Sequence, residues 1–279
     1  MSRGRPVGNP GANSGASPGA NRAAGSAGAA SAGDPSHADI GIVCALPIEM
    51  STFLARCERV RKYTGSNFVF RGGKYDAIRI VVVESGTGQA RARRATHALL
   101  DAHSPKWILS CGFAGSLVPH IRVGDVVVAD SIVDGQGQTL MIDVGFPADA
   151  NQGIHIGRLL TYDMIVRLVT DKQQLAAQYS AIAVDMESLA VAQVCRERGT
   201  RFLGIRVISD DLTSDLPVEV LSLMGPTGTT RIGAAIGALW SRPSSVTDMW
   251  KLRKSAQTAA RRLATFLDGV VVQLYNALH

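Results

Sequence analysis

The sequence predicts an α/β fold, in which helices cover a sheet of buried strands. Strand-like apolar runs recur along the chain, at residues 40–46, 78–85, 107–115, 125–134, 180–186 and 201–209. Several of these runs are continuous and rich in β-branched residues, which is typical of strands that are buried on both faces. Helical patterns separate them, near residues 47–57, 88–101, 163–176, 187–198 and 249–277. This alternation is the pattern of a sheet packed between helices.

Two of the predicted helices have further support. Pro47 stands where the first helix should begin, and proline is favoured in a first helical turn because its fixed φ suits the helix. The last helix carries an apolar stripe, which predicts that it packs on the body of the protein. The stripe consists of Leu252, Ala256, Ala259, Leu263, Phe266, Val270 and Leu274.

The first 38 residues differ from the rest of the chain. They consist mainly of Gly, Ala, Ser, Pro and Asn, and they contain no aromatic residue. Because such a segment has almost nothing to bury, we expect residues 1–38 to be a disordered, non-catalytic tail. It has no apolar stretch of the kind found in secretory signals. We therefore expect one folded domain over residues 39–279.

Residues 212–250, between the last strand and the last helix, are rich in Gly, Pro, Ser and Thr. They also include Met224, Leu239, Trp240 and Trp250, so the segment is too apolar for a solvated linker. We interpret it as an inserted flap that covers the site or faces a partner. An irregular helical layer is an equally weighted alternative.

Composition argues against several classes of protein. The formal charge is +6. Much of the positive charge lies in the tail and on predicted helix faces without interleaved aromatic residues, so we expect no nucleic-acid binding and at most weak contact with a membrane surface. The chain has no uncharged apolar run long enough to span a membrane. Four scattered cysteines and six histidines without ligand spacing predict reduced thiols, a cytoplasmic location and no metal site.

Acidic residues follow three of the predicted strands. Glu49 lies in the first turn after the first strand, whereas Glu187 and Asp210 follow two later strands. A single carboxylate of this kind has another explanation, because it can cap the next helix, where free N–H groups attract negative charge. Parallel strands, however, end at one edge of the sheet, and ligands bind there. Three carboxylates at this edge therefore predict a shared site.

Six short motifs accompany these carboxylates in a fixed order. They are IGIVCALPIEM, ESGTGQARA, CGFAGSL, VGDVVVAD, VDMESLAVAQVC and IRVISD. Their order resembles the purine nucleoside phosphorylase and uridine phosphorylase superfamily, most closely its 5'-methylthioadenosine/S-adenosylhomocysteine nucleosidases. The resemblance implies a single three-layer domain with a central mixed, mostly parallel sheet. It also implies hydrolysis of an adenine nucleoside without a cofactor, in methionine salvage, by a homodimer.

The resemblance implies roles for individual residues. Asp210, steadied by Ser209, would hold the proton that is delivered to purine N7, so that adenine leaves as a neutral molecule. Glu187, with Met186 beside it, would bind the ribose hydroxyls. Glu49 would orient and deprotonate the attacking water. This division of labour is the one that cleavage of a glycosidic bond requires.

Further residues follow from the same resemblance. Arg206 would lie near the ribose, and Ala114 and Gly115 would lie against the purine. The chain departs from the family pattern at two points. Phe113 stands in place of a serine, and residues 163–166 offer no aromatic ring to stack on adenine.

Two other functions stay open from the sequence alone. One is a phosphate-dependent nucleoside phosphorylase, including the branch that acts on adenosylhopane in hopanoid synthesis, with phosphate held by Arg91, Arg93 or Arg94. The other is a nucleoside-binding module without turnover. The presence of Glu49 favours hydrolysis, since a phosphorylase needs no carboxylate to activate water.

Overall fold

The computed structural model describes residues 37–218, Val220 and residues 246–278. The tail predicted for residues 1–38 therefore lies outside the described residues, apart from His37 and Ala38. Most of the flap predicted at 212–250 also lies outside them. Ala38 is fully buried, and its N–H donates to the carbonyl of His103 at 3.0 Å, so the folded domain includes this residue.

The described part of the chain forms ten strands and five α-helices. The strands are β1 (Ile40–Cys44), β2 (Glu58–Gly65), β3 (Phe68–Tyr75), β4 (Ile78–Glu84), β5 (Trp107–Ser116), β6 (Val126–Val133), β7 (Thr139–Met141), β8 (Ile154–Thr161), β9 (Ala183–Asp185) and β10 (Arg201–Asp210). The helices are α1 (Pro47–Leu54), α2 (Gln89–His103), α3 (Val169–Tyr179), α4 (Ser188–Glu197) and α5 (Val246–Asn276). Pro47 occupies the first turn of α1, as predicted.

The strands form one sheet that closes partly on itself. On one side, β2, β3 and β4 make an antiparallel meander, and β4, β1 and β5 are parallel neighbours. β5 also pairs with β10, and its last residues, Gly115 and Ser116, pair with β9. Because β10 pairs with β6, β6 with β8, and β8 with β9, these five strands form a closed ring. The end of β5 is thus surrounded by other strands.

Helices cover both faces of the sheet, which confirms the predicted α/β class. Alternate residues of β1 enter different core clusters, since Ile40 and Ile42 belong to one cluster and Val43 to another. The first cluster includes residues of α1 and α5, and the second includes residues of α2 and α4. The strand is therefore buried on both faces between two helical layers, as its continuous apolar sequence predicts.

Four strands of the sheet were not predicted from the sequence. β2 is exposed over most of its length and contains several charged residues, β3 contains two glycines, β7 has three residues, and β8 is only partly buried. The described strands form five parallel and five antiparallel pairings, so the sheet is mixed, as expected.

Helix α3 begins at Val169 rather than near residue 163. The N–H of Val169 donates to Oδ1 of Asp215 at 2.8 Å. Arg167 and Leu216 exchange hydrogen bonds, because the N–H of Leu216 donates to the Arg167 carbonyl at 3.0 Å and Nη1 of Arg167 donates to the Leu216 carbonyl at 2.8 Å. The first residues of the segment 212–250 therefore pair with the loop that precedes α3.

Candidate active site

A cavity of about 220 Å³ opens at the ends of β1, β5, β9 and β10. Four carboxyl groups line it, those of Glu49, Asp185, Glu187 and Asp210. Much of the remaining lining is apolar and includes Phe113, Met164, Ile165, Val166, Leu216 and Val220. Among the residues that the structure describes, no Lys, Arg or His lines the cavity. The carboxylates predicted from three separate strand ends therefore do meet.

Two backbone amides hold the Glu49 carboxylate. The N–H of Leu46 donates to Oε2 at 2.8 Å, and the N–H of Phe113 donates to Oε1 at 3.0 Å. Burial raises the pKa of Glu49, while these hydrogen bonds and the charge of Arg206 oppose the rise. A Cβ atom on Gly112 would lie 2.8 Å from Oε1, so glycine leaves room for this carboxylate. Glu49 therefore has a fixed orientation and an increased affinity for a proton.

Asp185 and Arg206 form a buried ion pair at this end of the sheet. Nε and Nη2 of Arg206 lie 2.8 and 2.6 Å from Oδ2 of Asp185, and Nη2 also donates to the hydroxyl of Ser110 at 2.9 Å. Asp185 accepts further hydrogen bonds from the Thr161 hydroxyl and from the N–H of Ser188, at 2.7 and 2.9 Å. Asp185 thus caps the start of α4 and also binds the guanidinium of Arg206.

Glu187 lies next to this pair, directly before α4. Its Oε1 accepts a hydrogen bond at 2.8 Å from the N–H of Gly88, the residue directly before α2. Burial and the neighbouring charge of Asp185 raise the pKa of Glu187 from its ordinary 4.5 to about 8, although Arg206 lowers it. This carboxyl group therefore has an increased affinity for a proton.

Asp210, at the end of β10, is bound on both carboxylate oxygens. The hydroxyl of Ser209 donates to Oδ1 at 2.8 Å, and Nζ of Lys172 donates to Oδ2 at 2.5 Å. A Cβ atom on Gly115 would lie 2.9 Å from Oδ2, so β5 passes close to this carboxylate. The side chain of Asp210 is 17% exposed, whereas that of Lys172 is completely buried. Asp210 therefore faces the cavity with its counter-ion behind it.

Comparison with known proteins identifies the family of this chain. A model of the phosphorylase superfamily matches residues 39–237. The chain belongs to the phosphorylase superfamily. It is 29% identical over 194 residues to 5'-methylthioadenosine/S-adenosylhomocysteine nucleosidase of Geobacillus thermodenitrificans, which covers 61% of this chain and 82% of the relative. It is 25% identical over 231 residues to the nucleosidase of the same name from Mycobacterium tuberculosis, with 67% and 91% covered.

Solved structures show the same fold. A 5'-methylthioadenosine/S-adenosylhomocysteine nucleosidase of Helicobacter pylori, complexed with a pyrrolidine inhibitor, superimposes with a TM-score of 0.62 at 20% identity. This match covers 84% of our chain and 97% of the other. Futalosine hydrolase of the same organism gives a TM-score of 0.56 at 23% identity, with 82% and 97% covered. At these identities the likeness concerns the fold alone.

Four of the other five predicted binding residues line the cavity, and one does not. Met186, Ser209, Ala114 and Gly115 all line the cavity. Arg206 does not line it, because its guanidinium is buried against Asp185. The guanidinium of Arg206 therefore does not face the cavity in which a ribose was expected to contact it. Arg206 acts on the cavity through the carboxylates beside it.

Sequence reasoning missed three polar residues of the site. Lys172 contacts Asp210, and Thr161 and Ser110 bind Asp185 and Arg206 respectively. Ser110 stands inside an apolar strand, where a hydroxyl gives little signal, and Thr161 ends a strand that was not predicted. Lys172 did give a signal, since it shares one face of α3 with the partly buried Leu175, Ala176 and Tyr179.

Other site types find no support in the described residues. Within them, no group of three or more His, Cys, Asp or Glu residues could hold a metal ion. No helix in the same residues is long and apolar enough to cross a membrane. The four cysteines, Cys44, Cys57, Cys111 and Cys195, are all free thiols.

Proposed function

We propose that the protein hydrolyses the N-glycosidic bond of an adenine nucleoside such as 5'-methylthioadenosine or S-adenosylhomocysteine. The observation that carries this proposal is that Glu49, Glu187 and Asp210 line one largely apolar cavity. Cleavage through an oxocarbenium-like state needs an acid at the base, anionic stabilisation at the sugar and a positioned water. The three carboxyl groups can meet these three needs. The nucleosidases named above support the same reaction.

Asp210 is the proposed general acid. It would pass its proton to a ring nitrogen of adenine while the electrons of the C–N bond move to the base. The Ser209 hydroxyl holds Oδ1 at 2.8 Å and so orients the carboxyl group. Ala114 and Gly115 lie on the same cavity wall, where the lack of large side chains lets a flat base approach the backbone. General acid catalysis of this kind contributes about 10²–10⁴-fold.

Glu49 and Glu187 are the proposed groups at the sugar. Glu187, with Met186, would accept hydrogen bonds from the ribose hydroxyls. Glu49 would take a proton from the attacking water, and its raised pKa suits a base that works near neutral pH. The two backbone N–H groups that hold Glu49 leave its remaining lone pairs available for that water.

The charge of the cavity favours water over phosphate as the acceptor. Its ionisable lining groups are all acidic among the described residues, so none of them offers a positive charge to a phosphate anion. The arginines considered for phosphate are placed elsewhere. Arg93 binds Glu197 at 2.6 Å, and Arg91 and Arg94 line a separate surface groove of about 430 Å³. This larger groove contains none of the three proposed carboxylates.

Release of adenine tests the proposal. Each of the two nucleosides is incubated with the protein in the presence and in the absence of phosphate. We expect equal rates under both conditions, with a free sugar as the product. Release only with phosphate, together with a sugar 1-phosphate, would replace hydrolysis by phosphorolysis. No release from either nucleoside would overturn the assignment of these substrates.

We extend the proposal to the setting of the reaction. The protein would act in methionine salvage in the cytoplasm, as a homodimer that binds a small nucleoside and neither nucleic acid nor cofactor. The free thiols support a reducing compartment. Acid–base hydrolysis by three carboxyl groups requires no cofactor. The homodimer rests on the family resemblance, and sedimentation of the purified protein tests it.

A further inference from the structure

Lys172 is a completely buried lysine behind the cavity. It lies in the first turn of α3, and its Nζ contacts Oδ2 of Asp210 at 2.5 Å and the carbonyl of Asp211 at 3.3 Å. Its side chain has no exposed area, and it does not line the cavity. Lysines are almost never fully buried unless an anion pairs with them. The ammonium is therefore placed for contact with Asp210.

A structural role alone does not account for this placement. A buried ion pair is weak evidence of stability, because well-packed apolar residues in its place are often neutral or stabilising. Leu175 and Ala176 on the same face of α3 already pack against an apolar cluster. An apolar residue at position 172 could continue that contact. The charge at this position thus calls for a different explanation.

The geometry points to a role in proton transfer. Resting on the proposed hydrolysis, we propose that Lys172 is a positioning residue that holds Oδ2 of Asp210 and so aligns its carboxyl group as the proton donor. The pairing with Lys172 in the structure is that of the Asp210 carboxylate, so the reacting step starts after Asp210 has taken up a proton from solvent. This proton then moves to the leaving base, the electrons of the C–N bond move to that base, and Asp210 returns to the carboxylate form. Lys172 stabilises this carboxylate through its contact with Oδ2. Because the negative charge on Asp210 develops in the transition state, the stabilisation acts on the barrier.

The same contacts fix the plane of the acid. Ser209 holds Oδ1, Lys172 holds Oδ2, and the backbone of Gly115 packs against the Oδ2 side. Each carboxylate oxygen still has a lone pair for a ligand in the cavity. The proton is therefore presented in one direction.

The test compares two leaving groups. Lys172→Met removes the ammonium and retains a long side chain that suits a buried site. We expect turnover of 5'-methylthioadenosine to fall about 10- to 100-fold, because the carboxyl group of Asp210 loses its alignment with the leaving base. We expect hydrolysis of a riboside with a 4-nitrophenol leaving group, which departs as a stable anion, to change less than about threefold. A merely structural role would slow both reactions equally and would overturn the inference.

Three further variants keep the test decisive. Gln173→Met alters an exposed neighbour on α3 and should leave both rates unchanged. Lys172→Gln serves if the Met variant does not fold, and the same selective loss is expected. In an Asp210→Asn background, Lys172→Met should have no additional effect on adenine release, because Lys172 acts through Asp210. An additive loss would contradict the proposal.

Failure of this inference is distinguishable from failure of the proposed function. If the wild-type protein releases no adenine, the proposed hydrolysis is wrong. If the wild-type protein releases adenine in water and Lys172→Met does so at the same rate, only the role of Lys172 is wrong.

Discussion

Arg206 and Asp185 form an ion pair that is almost entirely removed from solvent, with side chains 2% and 0% exposed. The charge of Arg206 acts on more than this partner, since it opposes the rise in the pKa of both Glu49 and Glu187. One guanidinium thus offsets three carboxyl groups at the same end of the sheet. The proposed sugar-binding side of the cavity depends on it.

Removal of this cation should destabilise the protein strongly. Breaking a buried pair leaves an uncompensated charge, so we expect Arg206→Met to lower the free energy of unfolding by about 3–5 kcal/mol at neutral pH. Urea denaturation measures the change. As a control, Arg198→Met breaks an exposed pair with Asp101 and should lower it by less than about 1 kcal/mol. Equal losses in the two variants would show that Arg206 contributes no more than a surface charge.

The raised pKa of Glu187 predicts how stability depends on pH. The unfolded chain loses this proton near its ordinary pKa of 4.5, whereas the folded protein keeps it up to about pH 8. Since the folded state then binds more protons than the unfolded state, Glu187 lowers stability progressively as pH rises between these values. The groups that surround it are Asp185, Glu49, Arg206 and the N–H of Gly88.

The isosteric variant Glu187→Gln tests this dependence. It should melt at a higher temperature than the wild-type protein, with a difference that grows from pH 5 to about pH 8 and then levels off. Its amide oxygen can still accept the hydrogen bond from Gly88. A difference that does not change with pH would mean that Glu187 is ionised throughout in the folded protein.

The sequence predicted those parts of the fold that follow from burial. Continuous apolar runs revealed the central strands, because a strand between two helical layers has no polar face. β2 and β3 gave no such signal. In β2 seven of the eight residues are exposed and four are charged, and pairing with β3 alone makes it a strand. A meander at the edge of a sheet is stabilised by contacts between strands that a local pattern does not contain.

The candidate site was predictable to a similar extent. Glu49, Glu187 and Asp210 could be found because they follow strands, and strand ends meet at one edge of a sheet. Lys172 could not be found by that rule, since it lies on a helix that is distant from Asp210 in sequence. The direction of Arg206 was also unpredictable. Its strand position is compatible with either the cavity or Asp185, and only the packed structure decides between them.

Asp210→Asn should separate binding from catalysis. An amide cannot give up a proton to the base, so we expect turnover to fall about 10²–10⁴-fold while the nucleoside still binds. Single-turnover adenine release and calorimetric titration measure the two effects. Asp211→Asn is a matched control, because that carboxylate binds Thr213 and the N–H of Val123 rather than lining the cavity. Turnover at the wild-type rate in Asp210→Asn would exclude Asp210 as the acid.

A single methyl group on β5 should disturb the acid without removing it. A Cβ atom on Gly115 would lie 2.9 Å from Oδ2 of Asp210 and 3.5 Å from Cε of Lys172. Gly115→Ala therefore forces the carboxylate to move, and a shift of about 1 Å in a reacting group can cost about 10²-fold in rate. We expect turnover to fall by at least about tenfold, with a loss of unfolding free energy of about 1–3 kcal/mol.

Gly145→Ala provides the comparison for this variant, because a Cβ atom there meets no other atom within 4 Å. It should leave turnover and melting temperature unchanged. If Gly115→Ala turns over at the wild-type rate, the carboxylate of Asp210 tolerates displacement. Its alignment by Ser209 and Lys172 would then not limit the reaction. A selective loss in Gly115→Ala would instead show that the position of this carboxylate, and not only its presence, determines the rate.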